Sequence, residues 1–267
     1  LAKGQRLVVE GLLLDKTNFK SIVGGDGACL GCGEKTVVHL FTATVEALMQ
    51  PRVKKQVERI DALIKKLETH IRLKMADTLN LSDIVAIDQA LDSLHNKEVT
   101  LSNLSASLDS EDEGKTIDAD WLKWVAHLLD KLRLLKWQYT EGVTKRGRAR
   151  MGMINSTGCT SVWASTYPFN PYPFPWANHL FQDSTSMAMG VFEGHMAKMA
   201  DGFKAVRMAE LELAGEYDHA KHDEFFTYFN WQQFTEEEFH LCPPVVAVGG
   251  DGAMYDIGFQ NLSRMMM

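Results

Sequence analysis

Pro244-Val245-Val246-Ala247-Val248-Gly249-Gly250-Asp251-Gly252 is a short apolar run that ends in a glycine turn. A run of this length, rich in Val and bounded by turn residues, reads as a buried parallel strand. Working outward, Met151-Gly152-Met153-Ile154 is a second short apolar run, followed by the turn Asn155-Ser156-Thr157-Gly158. Residues 168–175 contain four prolines (Pro168, Pro171, Pro173, Pro175) and are expected to be extended and non-helical. Asp183-Ser184 opens a long helix running to about Leu213. Residues 36–49 form a further, mostly apolar helix candidate, and 216–240 an acidic and aromatic surface segment. Strands alternating with helices predict an α/β class with a mainly parallel sheet, whose ligands bind at the carboxyl ends of the strands.

Residues 51–148 have a different texture. Ile60, Ile64, Leu67 and Ile71 step by four, three and four, the spacing of one helix face. Ser82-Asp83 could cap a second helix through Ile84, Ile87, Leu91 and Leu94, and Trp121, Val125, Leu128, Leu132 and Leu135 mark a third. The polar, acidic stretch 105–115 separates them as a loop. The block reads as a helical insertion into a domain made of 1–50 and 149–267, its apolar stripes serving as core rather than as a cofactor box.

Composition sets the class. With 45% hydrophobic and 24% charged residues among 267, the chain can bury a sizeable core. A net charge of −7 argues against nucleic acid as a partner, because phosphate contacts need a basic footprint. The one basic cluster, Lys145, Arg146, Arg148 and Arg150, reads as a solvated loop. No apolar stretch reaches the roughly 18 residues of a membrane span. The ends, Leu-Ala-Lys-Gly and Met-Met-Met, read as cuts in a longer chain. Four cysteines are too few for a secreted disulfide framework, which points to a reducing, cytoplasmic setting.

Three features carry chemistry. A carboxylate on a strand-ending glycine turn, as Asp251 is, suits Mg²⁺, which prefers one or two carboxylates plus phosphate oxygens; Gly-Asp-Gly also makes ordinary turns. In Cys29-Leu30-Gly31-Cys32-Gly33-Glu34, two thiolates spaced by two residues suit an iron–sulfur cluster or a zinc ion. The glycines flanking Cys32 let backbone amides approach sulfur, and they weaken the helix a thioredoxin-like pair would need. Cys159, in Ser156-Thr157-Gly158-Cys159-Thr160-Ser161, is open to a ligand role or to the buried-thiol reading common for free cysteine. Cys242, next to Pro243 and Pro244, reads as buried.

Taken in order, four blocks carry a resemblance: Gly27-Ala28-Cys29-Leu30-Gly31-Cys32-Gly33-Glu34, then Ser156-Thr157-Gly158-Cys159-Thr160-Ser161-Val162-Trp163, then Pro175-Trp176-Ala177-Asn178-His179-Leu180-Phe181-Gln182-Asp183, then Gly249-Gly250-Asp251-Gly252-Ala253-Met254-Tyr255-Asp256-Ile257-Gly258. The series resembles the thiamine-diphosphate and proximal iron–sulfur domain of pyruvate:ferredoxin (flavodoxin) oxidoreductases. It covers residues 20–50, 151–200 and 243–267 and leaves the helical block outside.

The resemblance implies a thiamine-diphosphate-binding fold. It implies that Cys29, Cys32 and Cys159 ligate a [4Fe-4S] cluster. It implies that Glu34, Cys159, Gly250, Asp251, Gly252 and Ala253 contact thiamine diphosphate, with Asp251 on Mg²⁺. The implied activity is oxidative decarboxylation of a 2-oxo acid such as pyruvate, with electrons passed through clusters to ferredoxin or flavodoxin and the acyl group to coenzyme A. A homodimer is also implied. The family's fourth cluster cysteine, its remaining Mg²⁺ ligands and its activating glutamate lie outside this chain, so the chain alone is expected to be inactive. A non-catalytic zinc or iron–sulfur scaffold is the alternative. A non-oxidative thiamine lyase is disfavoured because it needs no cluster.

Overall fold

The computed structural model describes residues 3–16, 32–76, 118–156, 158–160, 172, 174–178, 184–256 and 259–267. Cys29 and the glycine loop before it, the expected helix at 82–94 and the expected loop at 105–115 lie outside the described residues. In chain order the larger elements are α1 (Lys3–Leu14), α2 (Gly33–Ala76), α3 (Ala119–Thr140), β1 (Gly152–Asn155), β2 (Trp176–Asn178), α4 (Ser184–Ala214), α5 (His219–Thr227), α6 (Glu236–Phe239), β3 (Val245–Val248) and α7 (Phe259–Met265). A π-helical turn, Gly252–Asp256, follows β3. The chain divides into two compact units, one of Leu1–Gln56, Tyr139–Asp201 and Phe229–Met267, the other of Val57–Gln138 and Gly202–Tyr228. Among the described residues, no helix is long and apolar enough to cross a membrane.

The first unit holds a parallel three-stranded sheet in the order β2-β1-β3. Met153 pairs with Trp176 on one side and Val246 on the other, and Asn155 with Asn178 and Val248. The central strand is buried along its whole length. β3 is half-buried rather than buried, because among the described residues it pairs on one side only. Parallel strands need both faces covered. Val38 of α2 supplies one cover, packing with Met151, Met153, Tyr172 and Phe174 over the strand residues Val246 and Val248. Tyr172 stacks on Trp176 with ring centroids 4.5 Å apart, and its burial pushes the phenol well above its ordinary range.

The basic stretch after α3 is only half solvated. Lys145 and Arg146 are exposed. Arg148 donates to Met199 Sδ (3.0 Å) and to the Tyr139 hydroxyl (3.5 Å), while Arg150 pairs with Glu46. A long aliphatic stem lets arginine pack while its head finds an acceptor, which a charge count along the sequence does not reveal.

The second unit is helical. Ile60, Ile64, Leu67 and Ile71 of α2 are all buried, as are Trp121, Val125, Leu128, Leu132 and Leu135 of α3 and Phe203, Val206 and Ala209 of α4. α2 continues through Pro51 without a break; the missing N–H leaves one helical acceptor unserved but does not end the helix. The second unit also draws on 202–228, beyond the 51–148 stretch set apart by sequence texture. Gly202 permits α4 to approach α3, since a Cβ there would lie 3.0 Å from Leu135 Cδ1. Arg59 makes two 2.8 Å bonds to Glu210, and Arg133 one of 2.8 Å to Glu68. Half-exposed pairs of this kind contribute about 0–1 kcal/mol each, whereas burying one Leu or Ile contributes about 1.5–3 kcal/mol. The apolar stripes therefore hold this unit together.

Candidate functional site

The site lies at the carboxyl edge of the sheet, where β1 and β3 end side by side. The amide of Ser156, the first residue past β1, donates to Val248 O at 2.9 Å. This extends the ladder by one bond and fixes the departure of both chains. After Val248 the chain turns through Gly249-Gly250-Asp251, and Met254 N closes the turn onto Gly250 O at 3.0 Å. Gly249 is tightly packed, for a Cβ there would lie 2.8 Å from Met254 Cγ and 3.1 Å from Ser156 Cβ. Gly250 and Gly252 are open, and a Cβ on either would meet nothing within 4 Å. Asp251 between them is exposed, and Ala253 is buried beneath the turn. An exposed carboxylate between two unobstructed glycines matches what a cation-bound diphosphate needs: a hard oxygen ligand and backbone that a phosphate can approach.

Cys159 belongs to the same edge. It follows β1 by four residues, is helical together with Thr160 and is exposed. Thr160 donates from Oγ1 to Ser156 O at 3.0 Å. Since β1 and β3 are parallel neighbours, the segments bearing Cys159 and Asp251 leave the sheet in the same direction.

Cys32 immediately precedes α2, is half-buried, and packs against the cluster of Val38, Met151 and Met153. Glu34 is exposed in the first turn of α2, where a carboxylate interacts favourably with the helix N-terminus. Cys29 lies outside the described residues. Among the described residues, no group of three or more His, Cys, Asp or Glu side chains gathers as a metal site.

Cys242 is buried, and its Sγ donates to Glu238 O at 3.5 Å. Burial and the nearby Glu238 carboxylate push its thiol up to about 12, against the opposing influence of Arg148. It precedes β3 and so stands at the opposite end of that strand from Asp251. His195 on α4 is held below its ordinary value by burial and by the Arg148 charge.

One contact of the site, among Ser156, Ser184 and Met254, has no reading in a single sequence. Ser156 and Ser184 are completely buried and hydrogen-bonded to each other through their hydroxyls, and both face Met254 Sδ at 3.8 Å. Serine is mostly a surface residue, and nothing in either neighbourhood marks these two as partners across 28 positions.

An α/β fold with a parallel sheet, ending in an open glycine turn that bears a carboxylate, describes the class to which this site belongs. The chain is similar to pyruvate oxidoreductases. It is 25% identical to the pyruvate-flavodoxin oxidoreductase of Klebsiella pneumoniae over 163 residues, which is 48% of this chain and 14% of that protein. It is 27% identical to the pyruvate synthase subunit PorB of Methanosarcina barkeri over 111 residues, 42% of this chain and 24% of the subunit. It is 29% identical to the pyruvate dehydrogenase (NADP+) of Cryptosporidium parvum over 94 residues, 32% of this chain and 5% of that protein. The chain thus spans less than a quarter of each of these relatives. No protein-family model and no solved structure matches it.

Proposed function

We propose that this chain is part of a 2-oxo acid oxidoreductase, with pyruvate as its substrate, that works through thiamine diphosphate and Mg²⁺. The observation that carries the reading is the turn after β3, with exposed Asp251 between the unobstructed Gly250 and Gly252 at the carboxyl edge of a parallel sheet. The ordered sequence blocks and the partial similarity to pyruvate oxidoreductases support it.

In this reading Asp251 binds Mg²⁺, and the backbone of Gly250, Gly252 and Ala253 receives the diphosphate. Glu34 and Cys159 contact the cofactor. Cys29, Cys32 and Cys159 hold a [4Fe-4S] cluster, the pair spaced by two residues being suited to thiolate ligation. Thiamine diphosphate, when bound, supplies the electron sink for decarboxylation. The chain's own part is to bind, to orient, and to keep water from the reacting carbon. Acyl transfer to coenzyme A, electron transfer to ferredoxin or flavodoxin, a homodimer, and docking of the enzyme's remaining domains complete the proposal. So does a domain arrangement in which 51–148 is an insertion into the cofactor domain.

The test is anaerobic assay of the full-length protein for pyruvate- and coenzyme A-dependent reduction of a viologen dye, with iron and sulfide analysis of the same sample. Activity with iron and acid-labile sulfide supports the proposal. Stoichiometric zinc with no visible absorption and no dye reduction overturns it in favour of a zinc scaffold.

A further inference from the structure

Ser156, Ser184 and Met254 come from three separate elements: the end of β1, the first turn of α4, and the π-helical turn after β3. They meet at one buried point. The two hydroxyls are hydrogen-bonded to each other, and each lies 3.8 Å from Met254 Sδ. A serine hydroxyl carries one proton. With its two acceptor lone pairs as well, each hydroxyl can take part in more than one contact at once.

Two of these residues, Ser156 and Met254, also bond to and pack against the glycine turn, and Ser184 touches both of them. Ser156 N is bonded to Val248 O, one residue before the turn, and Met254 N to Gly250 O within it. Between these two bonds, Gly249 is packed against Met254 and Ser156 so closely that no Cβ fits without displacement. Asp251 itself is exposed. The backbone that carries it is thus packed from the buried side of the turn by Ser156 and Met254.

A mutually satisfied pair of buried hydroxyls adds little to stability, since exchanging both partners for apolar groups of similar shape is close to neutral. What such a pair adds is direction. A satisfied polar contact selects one rotamer of each partner where an apolar contact would accept several. We infer that Ser156, Ser184 and Met254 form a positioning latch that holds the Gly249–Gly252 turn in the geometry that receives Mg²⁺ and diphosphate. The inference rests on the cofactor reading given above. All three are positioning residues, acting through the turn and not touching the cofactor.

The experiment measures thiamine diphosphate affinity by calorimetry with Mg²⁺, and the electron paramagnetic resonance spectrum of Mn²⁺ bound in its place, in the full-length protein. The variants are the double change Ser156→Ala with Ser184→Ala, the single change Met254→Leu, and Asp251→Ala as reference. The double variant should keep its Tm within about 3 °C, equivalent to about 1 kcal/mol. It should lose roughly tenfold in affinity, equivalent to about 1.4 kcal/mol, and show an altered Mn²⁺ spectrum. Met254→Leu keeps the apolar volume and removes the sulfur acceptor, and should shift affinity in the same direction by less; it carries the test if the double variant does not fold. Unchanged affinity and spectrum in the latch variants, with binding lost in Asp251→Ala, would overturn the latch and leave the cofactor reading standing. Affinity that falls only in step with Tm would also overturn it, assigning the three residues to the core alone. Unchanged binding in Asp251→Ala would instead overturn the cofactor reading.

Discussion

The indole Nε1 of Trp121 donates a 2.8 Å hydrogen bond to Oε1 of Glu212, across 91 positions of sequence. The same carboxylate, buried on α4, lies 3.2 Å from His70 Nε2 and 3.8 Å from Lys74 Nζ, and the Lys74 ammonium sits 3.8 Å from the centre of the Trp121 ring. One acidic group thus ties α2, α3 and α4 together inside the helical unit. Glu212→Ala leaves a buried indole N–H without its acceptor, and should cost about 1–3 kcal/mol. Glu212→Gln keeps an acceptor for the indole and should cost less. Urea denaturation of the two variants checks the order; equal losses would show that the indole bond contributes nothing.

Two glycines with positive φ should respond differently to alanine. Gly215 (φ 71°) ends α4, its N–H bonded to Glu212 O and that of Glu216 to Leu211 O, and open space surrounds its Cβ position. Gly147 (φ 74°) donates to Glu141 O at 2.7 Å, and a Cβ there would lie 2.2 Å from Tyr139 O. Gly215→Ala should cost only the left-handed penalty of about 1–2 kcal/mol. Gly147→Ala adds a clash with backbone and should cost clearly more, read as a larger drop in the denaturation midpoint.

Asp61 predicts acid sensitivity. Hydrogen bonds from Lys136 and then Lys65 hold its carboxyl down at about 2, against an ordinary value of 3.8. A depressed carboxylate stabilises the fold above its unfolded value and loses that contribution as pH falls through its folded value. The contribution should therefore be complete above about pH 4 and disappear between about pH 4 and 2. Asp61→Asn should be less stable than wild type at pH 6, with the two converging near pH 2. Denaturation midpoints across that range measure it, and a constant difference down to pH 2 would contradict the assignment.

The cysteines should separate by reactivity in cluster-free protein. Cys242 is buried with its thiol pushed up to about 12, whereas Cys159 is exposed. Since the thiolate is the reacting form, iodoacetamide at pH 8 should label Cys159 well before Cys242, as followed by peptide mass spectrometry. In the loaded enzyme Cys159→Ser should damage the cluster signal in electron paramagnetic resonance, and Cys242→Ser should leave it intact. The reverse pattern would exchange their roles.

Much of the fold was legible because it follows local rules. The spacing of Ile60, Ile64, Leu67 and Ile71 gave one buried helix face, and Val245–Val248 gave a parallel strand. β2 was less legible: three residues after a proline-rich stretch show no periodicity, and the strand exists because Met153–Asn155 offers a free ladder. The unbroken α2 was hidden by Pro51, a local breaker overridden by buried residues on both sides, Ala47 and Met49 before it and Val53 and Ile60 after it. In the site, the glycine turn and its carboxylate were readable from residue type. The Ser156–Ser184–Met254 contact was not, because it joins residues 28 and 70 positions apart whose types suggest surface or filler. The same limit applies to Trp121 and Glu212.

The central claim is that the Gly249–Gly252 turn receives thiamine diphosphate through Mg²⁺ on Asp251. Calorimetric titration of thiamine diphosphate into the full-length protein, with Mg²⁺ and with chelator, compares wild type with Asp251→Ala and Gly250→Ala. Gly250 has room for a methyl group on the protein's side, so Gly250→Ala should fold with unchanged Tm yet lose at least tenfold in affinity, equivalent to about 1.4 kcal/mol, because the methyl group occupies the phosphate's approach. Asp251→Ala should abolish Mg²⁺-dependent binding. Wild-type affinity in both variants would contradict the account.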